Sequence, residues 1–311
     1  MSGEAGKLRL RLPATSANLG PGFDTAAVAL NFYLDVEAEP ASEFSIVATG
    51  RNPDRCARMD DNLVLDLYRK VLAANERAIT PLAIRMNNEI PLGMGCGSSA
   101  AGRLAALALA VHFGRLDWDE ERILAEAAAL EGHPDNAAAC WLGEFVATAG
   151  GEHAPVQVAR VTPPEAWRPL VVLPSEPLAT SKARAVLPES YSRRDVVSNL
   201  QSVALLGLAF AQGRGDLLQA AMADRIHQPY RAAICPQLPQ LLPLAGTNGI
   251  LGVALSGAGP AVLAIVDGES HVSGATRAVR AALAGMPASE VLVCRFQSEG
   301  AAMSWRTRRS W

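Results

Sequence analysis

Apolar and basic residues alternate over residues 8–12, the pattern of a strand with one wet face. The chain then enters Pro13-Ala-Thr-Ser-Ala-Asn18-Leu-Gly20-Pro21-Gly22-Phe23-Asp24, where two prolines and two glycines predict a loop. Strand-like patches follow at 33–38 and 43–48. Asp61-Asn62 precedes apolar positions at Leu63, Val64, Leu67, Val71 and Leu72, a helical period behind a plausible N-cap. Residues 81–89 read as a strand, and the glycine-rich run 90–99 opens a helix over about 100–112. That helix is apolar nearly all round, so it is expected to be central. A second helix, over 119–130, starts at an Asp and stops near Glu131-Gly132-His133-Pro134.

Strand and loop patterns resume at 156, and Pro163-Pro164 with Trp167-Arg168-Pro169 marks a junction before a strand at 170–173. The second half gives helices at 196–211 and 215–223, a strand at 252–256, a glycine turn, a strand at 262–266, a helix at 272–284 and a last strand at 291–296. Residues 305–311 read as a loose basic tail. Interleaved strands and helices predict an α+β protein. At 311 residues the chain is long for one core, so two domains are expected, 1–165 and 166–311, with small ligands bound in the cleft between them.

Composition narrows the function classes. Half the residues are hydrophobic, 19% are charged and the net charge is −3, which argues against general affinity for nucleic acid or an anionic membrane. Cys56, Cys96, Cys140, Cys235 and Cys294 are odd in number and show no metal-ligand spacing, so neither a disulfide framework nor a zinc site is predicted. Residues 1–6 carry Glu4 and show no basic start with an apolar segment behind it, so no secretory signal is expected, and the richest apolar stretch, 104–113, is too short to span a bilayer. The expected compartment is the cytoplasm and the expected partner a small molecule.

The turn at Gly93, Gly95 and Gly97 carries the first chemical signal. A helix N-terminus offers unpaired N–H groups and a favourable dipole, glycines let anions approach closely, and Ser98 and Ser99 place hydroxyls at the first turn. Phosphate binding follows, although no GK[ST] of a P-loop occurs. Taken alone, a tight structural turn before a buried helix is the competing reading.

Four segments weigh against that competitor: 13–24, quoted above; Ile90-Pro-Leu-Gly-Met-Gly-Cys-Gly-Ser-Ser-Ala-Ala101; Glu131-Gly-His-Pro-Asp-Asn136; and Leu255-Ser-Gly-Ala-Gly-Pro260. Together they resemble the GHMP kinases, over nearly the whole chain and in the family's order. Thr180-Ser-Lys-Ala-Arg184 and Ile226-His-Gln-Pro-Tyr-Arg231 extend the likeness, and the 13–24, 131–136 and 227–231 strings point to the homoserine branch. The resemblance implies an N-terminal domain like ribosomal protein S5 domain 2, a ferredoxin-like C-terminal domain, and transfer of the γ-phosphoryl group of ATP, with Mg²⁺, to L-homoserine. Composition and spacing by themselves do not reach that far. Departures from the family pattern are Cys96, where Leu is usual, and Gly93-Met94 in place of Ala-Arg.

The resemblance also implies roles. The ATP loop is Pro91, Leu92, Gly93, Met94, Gly95, Cys96, Gly97, Ser98, Ser99, Ala100 and Ala101. Ser99 and Glu131 are the expected Mg²⁺ ligands, with Glu126 as a rival to Glu131. Asp24 is assigned to the substrate ammonium, Arg184 and Arg231 to its carboxylate, Asn18 and Asn136 to its hydroxyl end, and Thr180 to the same pocket. Asp135 is a candidate general base, but the loose transition state of phosphoryl transfer permits proton loss to the phosphate itself, and the absence of a protein base is the favoured reading. His133 and His227 read as structural more often than functional. Ser256, Gly257 and Gly259 are expected to shape the floor of the site. A homodimer is the default assembly. Two alternatives remain open: a kinase for another small alcohol, and a sensor that binds both ligands without turnover.

Overall fold

Residues 8–40 form one long hairpin, where the sequence had suggested a strand followed by a loop. The computed structural model describes residues 6–151 and 154–306; the expectations for residues 1–5 and 307–311 lie outside them. Strand β1 (Leu8–Asn18) runs straight through Pro13, because the register against β2 (Gly22–Pro40) shifts between Pro13 and Ala14 and the bulge absorbs the missing N–H. Only Leu19-Gly20-Pro21 turns. Gly20 has φ +89°, and a Cβ there would strike the Met222 carbonyl.

Around this hairpin, β3 (Ser45–Gly50), β4 (Leu82–Asn88), β5 (Phe145–Gly151) and β6 (Ala154–Val161) complete the first sheet, in the order β3-β4-β2-β5-β6 with β1 beside β2. Strands β3 and β4 are parallel and the other pairings antiparallel. Helices α1 (Pro53–Cys56), α2 (Leu63–Ala74), α3 (Ser98–Gly114), α4 (Glu120–Glu131) and α5 (Asp135–Leu142) accompany it. Asn62 caps α2, its Oδ1 accepting from the N–H groups of Val64 (3.0 Å) and Leu65 (3.2 Å). Asp119 caps α4 in the same manner, and Gly132 ends it at φ +79°. Helix α3 is buried on nearly every face and packs against α2, α4, α5 and β1. Helix α5 is absent from the sequence reading, because Pro134-Asp135-Asn136 looks like a breaker; proline at a helix start removes only an N–H that has no partner there.

The second sheet holds β7 (Trp167–Leu173), β8 (Ile250–Leu255), β9 (Val262–Asp267) and β10 (Glu290–Val293) in the order β10-β7-β9-β8, antiparallel throughout. That order is the ferredoxin-like arrangement the resemblance implied. Its helices are α6 (Thr180–Ala185), α7 (Arg193–Gln212), α8 (Leu218–Ala221), α9 (Gln228–Arg231), α10 (Gln237–Leu241) and α11 (Glu269–Ala282). Phe145 of the first sheet stacks on Phe210 of α7 with centroids 4.4 Å apart, and Trp167 meets Phe210 edge-on, so the two sheets share apolar packing.

Two expectations at the end of the chain fail. The last strand stops at Val293, after which residues 295–297 cross back and hydrogen-bond to Ala29 and Asn31 of β2. Trp305 lies in a final helix, α12 (Ala301–Arg306), buried beside Trp141 at 6.4 Å between centroids; its apolar surface outweighs the basic residues around it. Among the described residues no helix is long and apolar enough to cross a membrane, and all five cysteines are free.

Candidate active site

The turns at the ends of β1 and β4, the start of α3, the α4–α5 junction and the first turn of α6 converge on one cleft of about 380 Å³. Gly93, Gly95 and Gly97 all have positive φ (71°, 81° and 73°), and Gly97 is the N-cap of α3. The backbone therefore coils over the helix start as anion binding requires. Leu92, Gly93, Gly95, Gly97, Ser98 and Ser99 line the cleft. Pro91, Met94, Cys96, Ala100 and Ala101 are buried behind them, so these five act on the loop's shape. Of the departures from the family pattern, Met94 and Cys96 put their side chains in the core, while Gly93 lines the cleft. Burial pushes the Cys96 thiol up to about 12, which leaves it unreactive near neutrality.

The Ser256 turn braces the loop from below. Ser256 Oγ donates to Gly95 O at 2.7 Å, Gly257 N–H donates to Ala17 O at 2.9 Å, and a Cβ on Gly95 would collide with the carbonyls of Ser256 and Gly259. Of the three expected floor residues only Gly257 lines the cleft; Ser256 and Gly259 support it.

At the acceptor end, Arg184 grips Asp24 through two parallel hydrogen bonds, Nη1 to Oδ2 at 3.0 Å and Nη2 to Oδ1 at 2.7 Å. Both are partly exposed to the cleft, and Thr180 stands one turn earlier on α6. Arg231 is almost wholly buried. Its Nε donates to Ala183 O (3.0 Å), its Nη1 to His227 Nδ1 (3.1 Å) and Gly257 O (3.3 Å), and both arginines lie over Phe23 at 5.4 Å. Burial and the nearby Arg184 charge lower the Arg231 pKa. His227 must donate from Nε2 to Gly20 O at 2.7 Å while accepting from Arg231, so it is neutral, and burial lowers its pKa. It is structural, as the sequence favoured.

Asn18 and Asn136 are less free than expected. Asn18 Nδ2 donates to Gly257 O (2.8 Å) and its Oδ1 accepts from Asp24 N–H (3.0 Å), fixing a turn in which Asn18, Leu19 and Asp24 all have positive φ. Asn136 Oδ1 accepts from Thr15 Oγ1 at 2.6 Å. Both position the pocket wall. Asp135 is 1% exposed; its Oδ1 accepts from His133 Nδ1 and from Asn136 N–H, each at 2.6 Å, while its Oδ2 is buried without a hydrogen-bond partner. Burial opposes charge on His133, but the Asp135 hydrogen bond and charge outweigh it, so the His133 pKa is raised.

Ser99 and Glu131 do come together. Arg103, one turn further along α3, donates from Nη1 to Ser99 Oγ at 2.6 Å and pairs with Glu131. Two oxygen donors sharing a cationic group are a fit set for a hard divalent ion. Glu126, the rival, lies 3.9 Å from Arg122 and does not line this cleft. The sequence reading missed the other end of the cleft, where Arg55, Asn62, Leu63, Val64, Met86 and Asn88 form a wall beside the glycine turn. Asn62 was visible only as a helix cap.

The chain is similar to known proteins along most of its length. The family described as GHMP kinases N terminal domain matches residues 62–144, and GHMP kinases C terminal matches 208–285. The chain is 44% identical over 263 residues to a protein of Solibacter usitatus named homoserine kinase, covering 85% of this chain and 86% of that one. A Deinococcus radiodurans protein of the same name is 40% identical over 270 residues, covering 86% and 87%. The crystal structure of homoserine kinase from Cytophaga hutchinsonii superposes with a TM-score of 0.79 over 96% of this chain and 98% of that one at 24% identity, and an L. major mevalonate kinase with 0.72 over 97% and 100% at 16%. The chain belongs to the homoserine kinases, within the GHMP kinase superfamily.

Proposed function

We propose that this protein transfers the γ-phosphoryl group of ATP to the hydroxyl of L-homoserine, giving O-phospho-L-homoserine. The observation that carries the reading is the Asp24–Arg184 pair, which faces the same cleft as the glycine-rich turn. An amino-acid zwitterion can open this pair without leaving any charge alone: its ammonium takes Asp24 and its carboxylate takes the planar fork of Arg184. Arg231 adds positive potential behind that carboxylate while its own bonds hold α6 and the Gly257 turn in place.

The N–H groups of the glycine turn and the start of α3 receive the triphosphate. Ser99 and Glu131 would hold Mg²⁺, which neutralises phosphate charge during transfer. Asp135 orients the acceptor hydroxyl through its unpartnered Oδ2, and His133 and Asn136 fix its other oxygen. No protein base is required, because the loose transition state lets the departing proton pass to phosphate. The protein acts in the cytoplasm, as a dimer by default, on a small molecule, with no role for nucleic acid or membrane.

The test is ADP release with MgATP against L-homoserine, L-serine, L-threonine, mevalonate and galactose. Turnover with L-homoserine alone is expected. Turnover with another alcohol in its place would overturn the acceptor assignment, and ATP binding without turnover on any of them would overturn the enzymatic reading.

A further inference from the structure

Arg103 has no part in the reading above, yet it touches both residues assigned to the metal. We infer that Arg103 is a built-in counter-ion that keeps Ser99 and Glu131 together before nucleotide binds, so that a divalent cation enters only together with the nucleotide. The inference rests on the assignment of Ser99 and Glu131 as metal ligands.

The geometry is specific. Nη1 of Arg103 donates to Ser99 Oγ at 2.6 Å across one turn of α3, and the same nitrogen pairs with Oε1 of Glu131 at the end of α4. Oε2 of Glu131 has His133 Nε2 at 3.9 Å on its far side. The carboxylates of the cleft wall, Asp24, Asp61, Glu131 and Asp135, are matched by Arg55, Arg184 and Arg231 together with Arg103, which pairs with Glu131 as Arg184 does with Asp24. A divalent ion approaching the empty cleft therefore meets no surplus negative charge and must expel a guanidinium to reach its ligands. An arriving triphosphate changes both conditions. It brings anionic charge for the metal and offers a new partner to Arg103, whose side chain is 24% exposed and rooted three positions beyond Ala100, the last of the free backbone N–H groups at the start of α3.

The experiment is Mn²⁺ titration followed by electron paramagnetic resonance on the full chain, with and without ADP, for the wild type, Arg103→Met, and Arg103→Met combined with Glu131→Gln. Without nucleotide the wild type is expected to bind Mn²⁺ weakly and Arg103→Met at least about tenfold more tightly, since one like charge beside the ion has gone. With ADP the advantage shrinks to less than about threefold, because the nucleotide has already displaced the guanidinium. Adding Glu131→Gln returns nucleotide-free binding to the weak level. Arg103→Lys keeps the charge and stays close to wild type, which separates charge from packing. Arg103→Gln carries the same expectation as Arg103→Met should the latter not fold by circular dichroism. Equal nucleotide-free affinity in wild type and Arg103→Met overturns the counter-ion role. If Glu131→Gln still weakens Mn²⁺ binding in the ADP complex, the metal assignment survives that failure; if Glu131→Gln has no effect in any background, the metal assignment itself falls and this inference with it.

Discussion

Replacing Arg184 with Met keeps an unbranched apolar stem and removes the guanidinium that grips Asp24 and lies over Phe23. In the substrate complex the lost contacts are two charge-assisted hydrogen bonds to a carboxylate, each worth about 1.5–3 kcal/mol. The Arg184 side chain is 39% exposed, so solvent screening argues for the low end, about 3 kcal/mol in all. At about 1.4 kcal/mol per decade, kcat/KM for L-homoserine should fall about 150-fold. Most of the loss should appear in KM, because the carboxylate is bound before and during transfer alike. The KM for ATP should stay within about twofold, since the hydrogen bonds of the Arg184 guanidinium go to Asp24 and not to the glycine turn. Arg184→Lys should recover only part of the loss, a point charge being unable to form two parallel bonds. Steady-state ADP release with each substrate varied in turn provides the check. A fall of less than about fivefold, or a parallel rise in both KM values, would refute the partner exchange.

Gly95→Ala should cost about 2–3 kcal/mol in strain at φ +81° and push the Ser256 turn away, raising the KM for ATP; an unchanged melting temperature and ATP affinity would contradict the bracing seen here. His133 should titrate above the ordinary histidine value of 6.5. Its raised pKa means that the stability it contributes is complete below about pH 6.5 and lost as pH rises through the folded value. Proton NMR of the imidazole should show this, with Asp135→Asn bringing the titration back down; a midpoint at or below 6.5 in the wild type counts against the pair. Trp305→Ala should destabilise by about 3–5 kcal/mol, as truncation of a buried aromatic does, and urea unfolding followed by circular dichroism measures it.

What could be read from sequence was whatever depends on local pattern. The caps at Asn62 and Asp119, the stop at Gly132 and the all-apolar α3 each follow from residues within a turn or two, and all stand in the structure. Prolines misled in two opposite ways. Pro13 was read as ending a strand, whereas a bulge carries the strand past it, and Pro134 was read as ending a helix, whereas it begins one. The short helices α6 and α9, which deliver Arg184 and Arg231, span 6 and 4 residues, too few for any period to register. Their arginines were found through family resemblance alone. Arg103 shows the remaining limit: its spacing from Ser99 is legible along one helix, but its pairing with Glu131 depends on how α3 crosses α4.

The return of residues 295–306 to the first sheet has a consequence for how the protein is made. Strand β1 leaves the ribosome well before residues 295–306, yet Trp141 gains its Trp305 neighbour, and Ala29 its bond from Gln297, only when those residues emerge. Until then the first sheet has part of its apolar surface uncovered and β2 unpaired at Ala29 and Asn31. A chain cut off before residue 295 would hold every residue of the cleft but no finished core to support it. Such fragments should be prey for chaperones and proteases, and synthesis of residues 295–306 becomes the step that commits the first sheet to its folded form.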